Sequence, residues 1–106
     1  MSDSAAPPAA SGNGRVRRYE VVFDCRDRVM AHGLVAQLEA AGAPGAVSVR
    51  RVEEGTTWAV AFDFAGARAA DEFFTGEAYH EACVAIRRAI GASVLVVPLG
   101  EIDATT

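Results

Sequence analysis

Hydrophobic and polar positions in the first half of the chain change from a period of two to a helical period and back. Alternation over residues 17–25 predicts a strand whose inward face carries Tyr19, Val21, Phe23 and Cys25. An apolar stripe at helical spacing follows, formed by Met30, Leu34, Leu38 and Ala41, with Asp27 placed as the N-cap of the helix and Gly42 as a left-handed stop. Residues 46–53 predict a second strand, and the break in its pattern at Arg50 and Arg51 indicates an edge strand or a bulge.

The second half repeats this order. Residues 57–64 alternate most regularly and place on one face Trp58, Val60, Phe62 and Phe64. A short helix over residues 67–74 and a longer one over residues 77–90 are predicted, with Thr75 capping the longer helix and Gly91 ending it. The segment SVLVVPL, residues 93–99, predicts the last strand.

This order of elements is typical of a ferredoxin-like α+β domain with βαββαβ topology. We therefore expect residues 15–100 to form a four-stranded antiparallel sheet with two helices on one face. Residues 1–14 are small, polar and rich in Pro, Ser and Gly, which predicts a disordered tail, and residues 101–106 are expected to fray.

The last predicted strand is apolar on both faces, a pattern that strands show when both faces are covered. Helices cover only one face, so we expect a partner on the open face, where Val22, Ala59 and Ala61 also lie. A second copy of the chain is the simplest partner, which predicts a homodimer. The same face carries charged residues, namely Arg18, Glu20, Asp24 and Asp63.

Composition argues against several classes of protein. A net charge of −4 disfavours nucleic-acid binding, which needs a positive surface. No segment approaches the roughly 20 apolar residues of a membrane span, and no secretion signal is evident, so we expect a cytoplasmic protein that meets no membrane. Its two cysteines, Cys25 and Cys83, should be reduced, small core residues. Neither metal-ligand spacing nor a glycine-rich phosphate loop is present, so no metal and no cofactor is expected.

Four residues carry candidate ligand-binding chemistry, and the first two are also catalytic candidates: His80, Tyr79, Trp58 and Arg87. Histidine is a residue type used in acid–base catalysis, and His80 could line a pocket with Tyr79, or it could be a solvated helix residue. Trp58, the only tryptophan, fits either a packed core or the aromatic wall of a cavity. Arg87 could bind an anionic ligand or be solvated at its helix end.

The segment ADEFFTGEAYHEACVAIRRAIGASVLVVPLGE resembles the C-terminal half of small dimeric α+β barrel proteins. Those proteins often carry a pattern like F-x-S-x-x-Y, then an arginine-containing turn and an apolar last strand. The corresponding places are taken here by Phe74, Thr75, Tyr79, Arg87 and Arg88. The resemblance implies a homodimer with packed sheets, and it allows cofactor-free monooxygenation or isomerisation in a cavity between sheet and helices. It makes Tyr79, His80 and Trp58 the first candidates there.

A second segment, DCRDRVMAHGLVAQLEAAGA, resembles the first strand and helix of ACT-type regulatory domains, which bind small metabolites at dimer interfaces. It lacks the Pro-Gly that usually follows Asp-Arg in those domains.

Two functions remain. A non-catalytic ligand-binding or protein-interaction module is preferred because no group poised for catalysis emerges from the residues alone. The alternative is a cofactor-independent enzyme of the dimeric α+β barrel type, monooxygenase or isomerase-like, acting on a small organic substrate. A pocket holding Trp58 with Tyr79 or His80 would favour the enzyme, and a filled core would favour the module.

Overall fold

Four strands and three helices follow one another along the chain in a computed structural model that describes residues 15–103. The predicted tail over residues 1–14 and residues 104–106 lie outside the described residues. The elements are β1 (Arg15–Asp24), α1 (Arg28–Gly42), β2 (Ser48–Glu54), β3 (Thr57–Phe64), α2 (Ala67–Phe74), α3 (Glu77–Ile90) and β4 (Leu95–Asp103). The strands form one antiparallel sheet in the order β2-β3-β1-β4. This topology is the ferredoxin-like βαββαβ fold that the sequence predicts.

The core fills the space between the sheet and the helices, and its burial from water drives the packing. Its largest fully buried side chains are Trp58, Phe62, Phe64, Leu38, Ile86, Val21, Val35 and Val60. On α1 the buried stripe contains Leu34, Val35 and Leu38, whereas Met30, which the sequence assigns to that stripe, is 40% exposed. Aromatic rings from β3 and α2 also stack, with the Phe62 and Phe73 centroids 4.7 Å apart.

Two helix ends follow their predicted caps. The side chain of Asp27 accepts a hydrogen bond from the backbone N–H of Met30 at 3.0 Å, as an N-cap does. Gly91 ends α3 with a left-handed φ of 74°. Both predictions are confirmed.

Two other predicted helix ends are wrong. The backbone stays right-handed through Ala43, so Gly42 is not a left-handed stop. A Cβ at Gly42 would lie 2.2 Å from Cε1 of Phe62, so this glycine instead allows α1 to approach β3. Thr75 does not cap α3, because its hydroxyl donates to the Asp71 carbonyl at the end of α2 at 2.8 Å.

The edges of the sheet differ from the predicted strand bounds. For β2 the sequence indicates either an edge strand or a bulge, and the structure shows an edge strand with regular pairing. β4 forms the other edge and continues past Leu99 to Asp103, because β1 begins at Arg15 and offers it further partners.

One apolar row crosses the open face of the sheet. Register aligns one residue from each strand across this row, namely Val52, Ala59, Val22 and Leu95. The adjacent row also contains apolar residues, Ala61 and Val97, between charged ones. Leu95 is 63% exposed and Val52 36% exposed, so the described chain leaves part of this apolar row uncovered.

Candidate functional site

A groove of about 270 Å³ lies beside α3, where the chain turns back into β4. Its lining, which we name the helix groove, consists of His80, Cys83, Val84, Arg87, Ser93 and Val94. Three of the lining residues, Cys83, Val84 and Arg87, lie three, four and seven positions after His80 on α3, so all four share one side of the helix. Gly91 reverses the chain in its left-handed conformation, and Ser93 and Val94 follow this turn.

The helix groove combines basic groups with apolar walls. His80 and Arg87 are exposed and lie one and a half to two turns apart on α3, while Val84 and Val94 are half-buried. No aspartate or glutamate lines this groove. Within the described part of the chain Arg87 has no ion-pair partner. The groove is therefore a locally basic site on a protein whose net charge is −4.

Tyr79 lies behind this groove, in an aromatic cluster. Its ring centroid is 4.9 Å from that of Phe73 and 5.1 Å from that of Phe74. Burial raises the pKa of Tyr79 above its ordinary value, and a hydrogen bond with Cys83 raises it further. The phenol therefore keeps its proton at neutral pH, and Tyr79 lies one helical turn before Cys83, which lines the groove.

Trp58 lies elsewhere in the fold. It is fully buried, and its indole N–H donates to the carbonyl of Cys25 at 3.0 Å. The His32 ring centroid is 5.1 Å from the indole, and the Arg28 guanidinium carbon is 5.5 Å from the ring centroid. These contacts make Trp58 a core residue near the start of β3.

The structure therefore brings His80 and Arg87 together, with Tyr79 adjacent, but it does not bring Trp58 to them. Trp58 lies near the start of β3, whereas the aromatic cluster around Tyr79 reaches Phe64 at the end of that strand. Six residues of extended chain span about 20 Å. In the described residues, the filled core separates Trp58 from the other three candidates.

A second, larger cleft of about 500 Å³ lies where β1 ends and α1 begins, and we name it the end cleft. Its lining residues are Asp24, Cys25, Arg26, Asp27, Met30, Thr56, Ala89 and Ile90. Asp24 already accepts the Thr57 hydroxyl at 2.9 Å, and Asp27 caps α1. Cys25 is buried, and its thiol donates to the Asp27 carbonyl at 3.4 Å. Several of the polar groups in the end cleft thus hold local structure.

Sequence reasoning predicted two of the six residues that line the helix groove, His80 and Arg87, and missed the other four. Cys83 is half-buried and lines the groove, although a core position is expected for it from the sequence; Cys25 is buried as expected. The signal for Cys83 was its helical spacing from His80 and Arg87. Ser93 and Val94 belong to the chain after the turn, so only the tertiary fold places them beside α3.

Among residues 15–103, no group of three His, Cys, Asp or Glu side chains is arranged to hold a metal ion. No helix in this part of the chain has the length and apolar character needed to cross a membrane.

Solved structures share this fold over most of its length. Rv0793 from Mycobacterium tuberculosis superimposes with a TM-score of 0.65 and 19% identity, over 87% of this chain and 99% of its own. A Caulobacter crescentus protein provisionally assigned as an antibiotic biosynthesis monooxygenase also has a TM-score of 0.65, with 13% identity, over 87% of this chain and 91% of its own. A variant of SnoaB, a cofactor-independent oxygenase from Streptomyces nogalater, has a TM-score of 0.63 and 13% identity, over 88% and 95% of the two chains.

No family model and no curated protein matches the sequence. At these low identities the solved structures establish the fold alone, and the chemistry has to be argued from the residues of the site. The chain shares its ferredoxin-like fold with these solved structures, which confirms the fold that the first resemblance drawn from its sequence implies.

Proposed function

We propose that the protein is a homodimeric, cofactor-independent oxygenase that acts on a small organic substrate in the helix groove. The observation that carries this proposal is the placement of His80 and Arg87 in one groove with apolar walls. The filled core around Trp58 by itself favours the non-catalytic module, as the sequence does. A neighbour of the same fold is a cofactor-independent oxygenase, however, and this likeness favours the enzyme.

Oxygenation without a cofactor requires the substrate to supply the electrons. The simplest balanced case converts an activated methylene group and dioxygen into a carbonyl group and water. His80 would take the first C–H proton, and the resulting carbanion would reduce dioxygen. One oxygen atom would remain on carbon and the other would leave as water. A histidine is suited to this proton transfer because its ordinary pKa lies near neutral pH.

Arg87 would bind the substrate and place a fixed positive charge near the carbon that loses its proton. A fixed cation near the developing charge lowers the barrier, and it does so more strongly where the bound substrate displaces water. Val84 and Val94 would provide the apolar surface. Tyr79 would act as a positioning residue, because its ring packs on Phe73 and Phe74 and holds this part of α3 behind the groove.

The apolar row on the open face supports the homodimer part of the proposal. Leu95 and Val52 lie at its two ends and are exposed in the single chain, while Ala59 and Ala61 provide a flat centre between them. A second copy placed across this face would cover the row and bury apolar area on both protomers. The solved neighbours share a fold that typically forms dimers.

The ligand-binding module is the second candidate, and the end cleft favours it. This cleft is larger than the helix groove, at about 500 against 270 Å³. Its lining combines apolar Met30 and Ile90 with charged Arg26, a composition found in small-molecule sites. Under this alternative, a ligand would bind near Cys25 without turnover.

Oxygen uptake tests the proposed function. Purified protein is mixed with anthrone, a ketone whose methylene is activated by two aromatic rings, and dioxygen is followed with an electrode. We expect uptake above the enzyme-free rate, and its loss in His80→Gln. His32→Gln is the matched control, because His32 is the only other histidine and lies on α1, outside the groove. Conversion of an enolisable substrate without oxygen uptake would indicate an isomerase.

A further inference from the structure

We propose that the helix groove selects substrates that carry a carboxylate, and that Arg87 binds this group. The inference specifies the substrate class of the proposed oxygenase and rests on that function only for turnover, since binding is measured separately. Anthrone, which has no carboxylate, would then be held by the apolar part of the groove alone, and an anthrone with a ring carboxylate should be used more efficiently. The inference follows from three observations: Arg87 has no ion-pair partner within the described chain, its neighbours in the groove carry no negative charge, and carboxylates match the geometry of a guanidinium.

Arg87 differs from the arginines that stabilise the fold. Arg18, Arg28 and Arg51 each bind a carboxylate on a neighbouring element, namely Asp63, Glu53 and Glu39. In the described chain Arg87 has no such partner, although it lines a cavity. Its guanidinium is therefore available to an external anion.

The neighbours of Arg87 make the groove suitable for one negative charge beside an apolar body. No acidic side chain lines the groove to compete for the guanidinium. His80 and the hydroxyl of Ser93 are further hydrogen-bonding groups, and Val84 and Val94 offer an apolar surface. A single arginine balances a monoanion, whereas a phosphate with nearly two charges calls for more cationic groups.

Carboxylate geometry favours arginine in particular. The two oxygens of a carboxylate match the parallel N–H groups of a guanidinium, and such charge-assisted pairs are about twice as strong as neutral hydrogen bonds. A neutral amide of the same shape can accept from the guanidinium but cannot neutralise it. The groove should therefore distinguish an acid from its amide, with Arg87 as the specificity-determining residue.

Calorimetry with two matched probes tests this inference. The probes are 2-naphthoate and its neutral isostere 2-naphthamide, titrated into the full chain at pH 7. We expect the wild type to bind naphthoate about tenfold or more tightly than naphthamide, the size of effect that a charged hydrogen-bonded pair supports. Arg87→Gln should remove this preference, and Arg87→Lys should restore part of it because the charge remains without the fork.

Arg88→Gln is the matched control. Arg88 is the next residue on the same helix, is exposed, and does not line the groove. Its loss changes the net charge as much as the loss of Arg87 does. The control variant should therefore bind naphthoate within about twofold of the wild type, since an exposed charge outside the groove contributes little. Circular dichroism of each variant checks that the helix remains folded.

Alkylation of Cys83 locates the bound probe. Iodoacetamide labelling is followed by peptide mass spectrometry, with buried Cys25 as the internal reference. Naphthoate should slow the labelling of Cys83 and leave that of Cys25 unchanged, because only Cys83 lines the helix groove.

Three results would overturn the inference: equal affinity for the two probes, equal losses in Arg87→Gln and Arg88→Gln, or binding that leaves Cys83 unprotected. The outcomes separate it from the proposed function. Arg87-dependent naphthoate binding without oxygen uptake on any substrate would remove the oxygenase and leave the carboxylate site. Oxygen uptake that depends neither on a substrate carboxylate nor on Arg87 would remove the carboxylate site and leave the oxygenase.

Discussion

Arg18 and Asp63 face each other across β1 and β3 and form a two-fold hydrogen-bonded ion pair on the open face of the sheet. Nε and Nη2 of the arginine donate to Oδ1 and Oδ2 of the carboxylate at 2.6 and 2.8 Å. The side chains are 28% and 11% exposed. A pair of this geometry can be covered by a second copy, because each charge already has its partner before water is removed.

This pair predicts an acid-dependent part of the stability. The hydrogen bond from Arg18 lowers the pKa of Asp63 below its ordinary value of 3.8. A carboxyl with a lowered folded-state pKa stabilises the fold fully above the ordinary pKa, and this contribution is lost as the pH falls through the lower one. Asp63→Asn should therefore cost about 1–2 kcal/mol at pH 7 and flatten the stability profile below pH 4. Urea unfolding at a series of pH values measures both effects.

Asp71→Asn is the control for this prediction, because Asp71 is an exposed carboxylate with no ion pair among the described residues. Its stability profile should follow that of the wild type. If Asp63→Asn retained the wild-type slope below pH 4, the ion pair would not stabilise the fold.

Two glycines of α1 give a matched pair of stability predictions. A Cβ at Gly42 would meet the Phe62 ring at 2.2 Å, whereas a Cβ at Gly33 would have nothing within 4 Å. Gly42→Ala should lower the free energy of unfolding by about 1–3 kcal/mol through overpacking. Gly33→Ala should raise it by about 0.5–1 kcal/mol through helix propensity. Thermal and urea unfolding measure the two changes, and an equally stable Gly42→Ala would contradict the close approach of α1 to β3.

The proposed dimer predicts the effect of a charge in the apolar row. Leu95→Arg should yield a folded monomer, because an unpaired guanidinium would be buried in the interface. Ala61→Arg should act in the same way from the adjacent row. Ala78→Arg, on an exposed site of α3, should remain dimeric. Light scattering after size exclusion gives the mass of each variant, and dimeric Leu95→Arg and Ala61→Arg would place the interface elsewhere.

Sequence periodicity predicted the topology because apolar residues recur with a period of two in strands and of about 3.6 in helices, which distinguishes the two kinds of element. The caps at Asp27 and Gly91 were also readable, since capping depends on neighbouring residues. Gly42 was misread because its role depends on Phe62, which lies far away in the sequence. Thr75 was misread because its hydroxyl serves the preceding helix.

The candidate site was predictable only where it lies on one element. His80 and Arg87 share a helix face, so their spacing indicates a common neighbourhood. Ser93 and Val94 reach the groove after a chain reversal, and no local pattern marks them. Trp58 and Tyr79 both lie on the helix side of the sheet. Alternation predicts which face of the sheet a strand residue occupies but not which end of the core it lies near, so the sequence could not show that the two residues are apart.

Isotope labelling tests the proposed oxygenation most directly. Anthrone is incubated under ¹⁸O₂ with the wild type, His80→Gln and His32→Gln, and the molecular mass of the product is measured by mass spectrometry. We predict a product with one ¹⁸O atom, formed at wild-type rate by His32→Gln and about a hundredfold more slowly by His80→Gln, the lower range for loss of a general base. Labelled product that forms no faster with the wild type than without enzyme would contradict the proposed oxygenation. An undiminished rate in His80→Gln would contradict it as well.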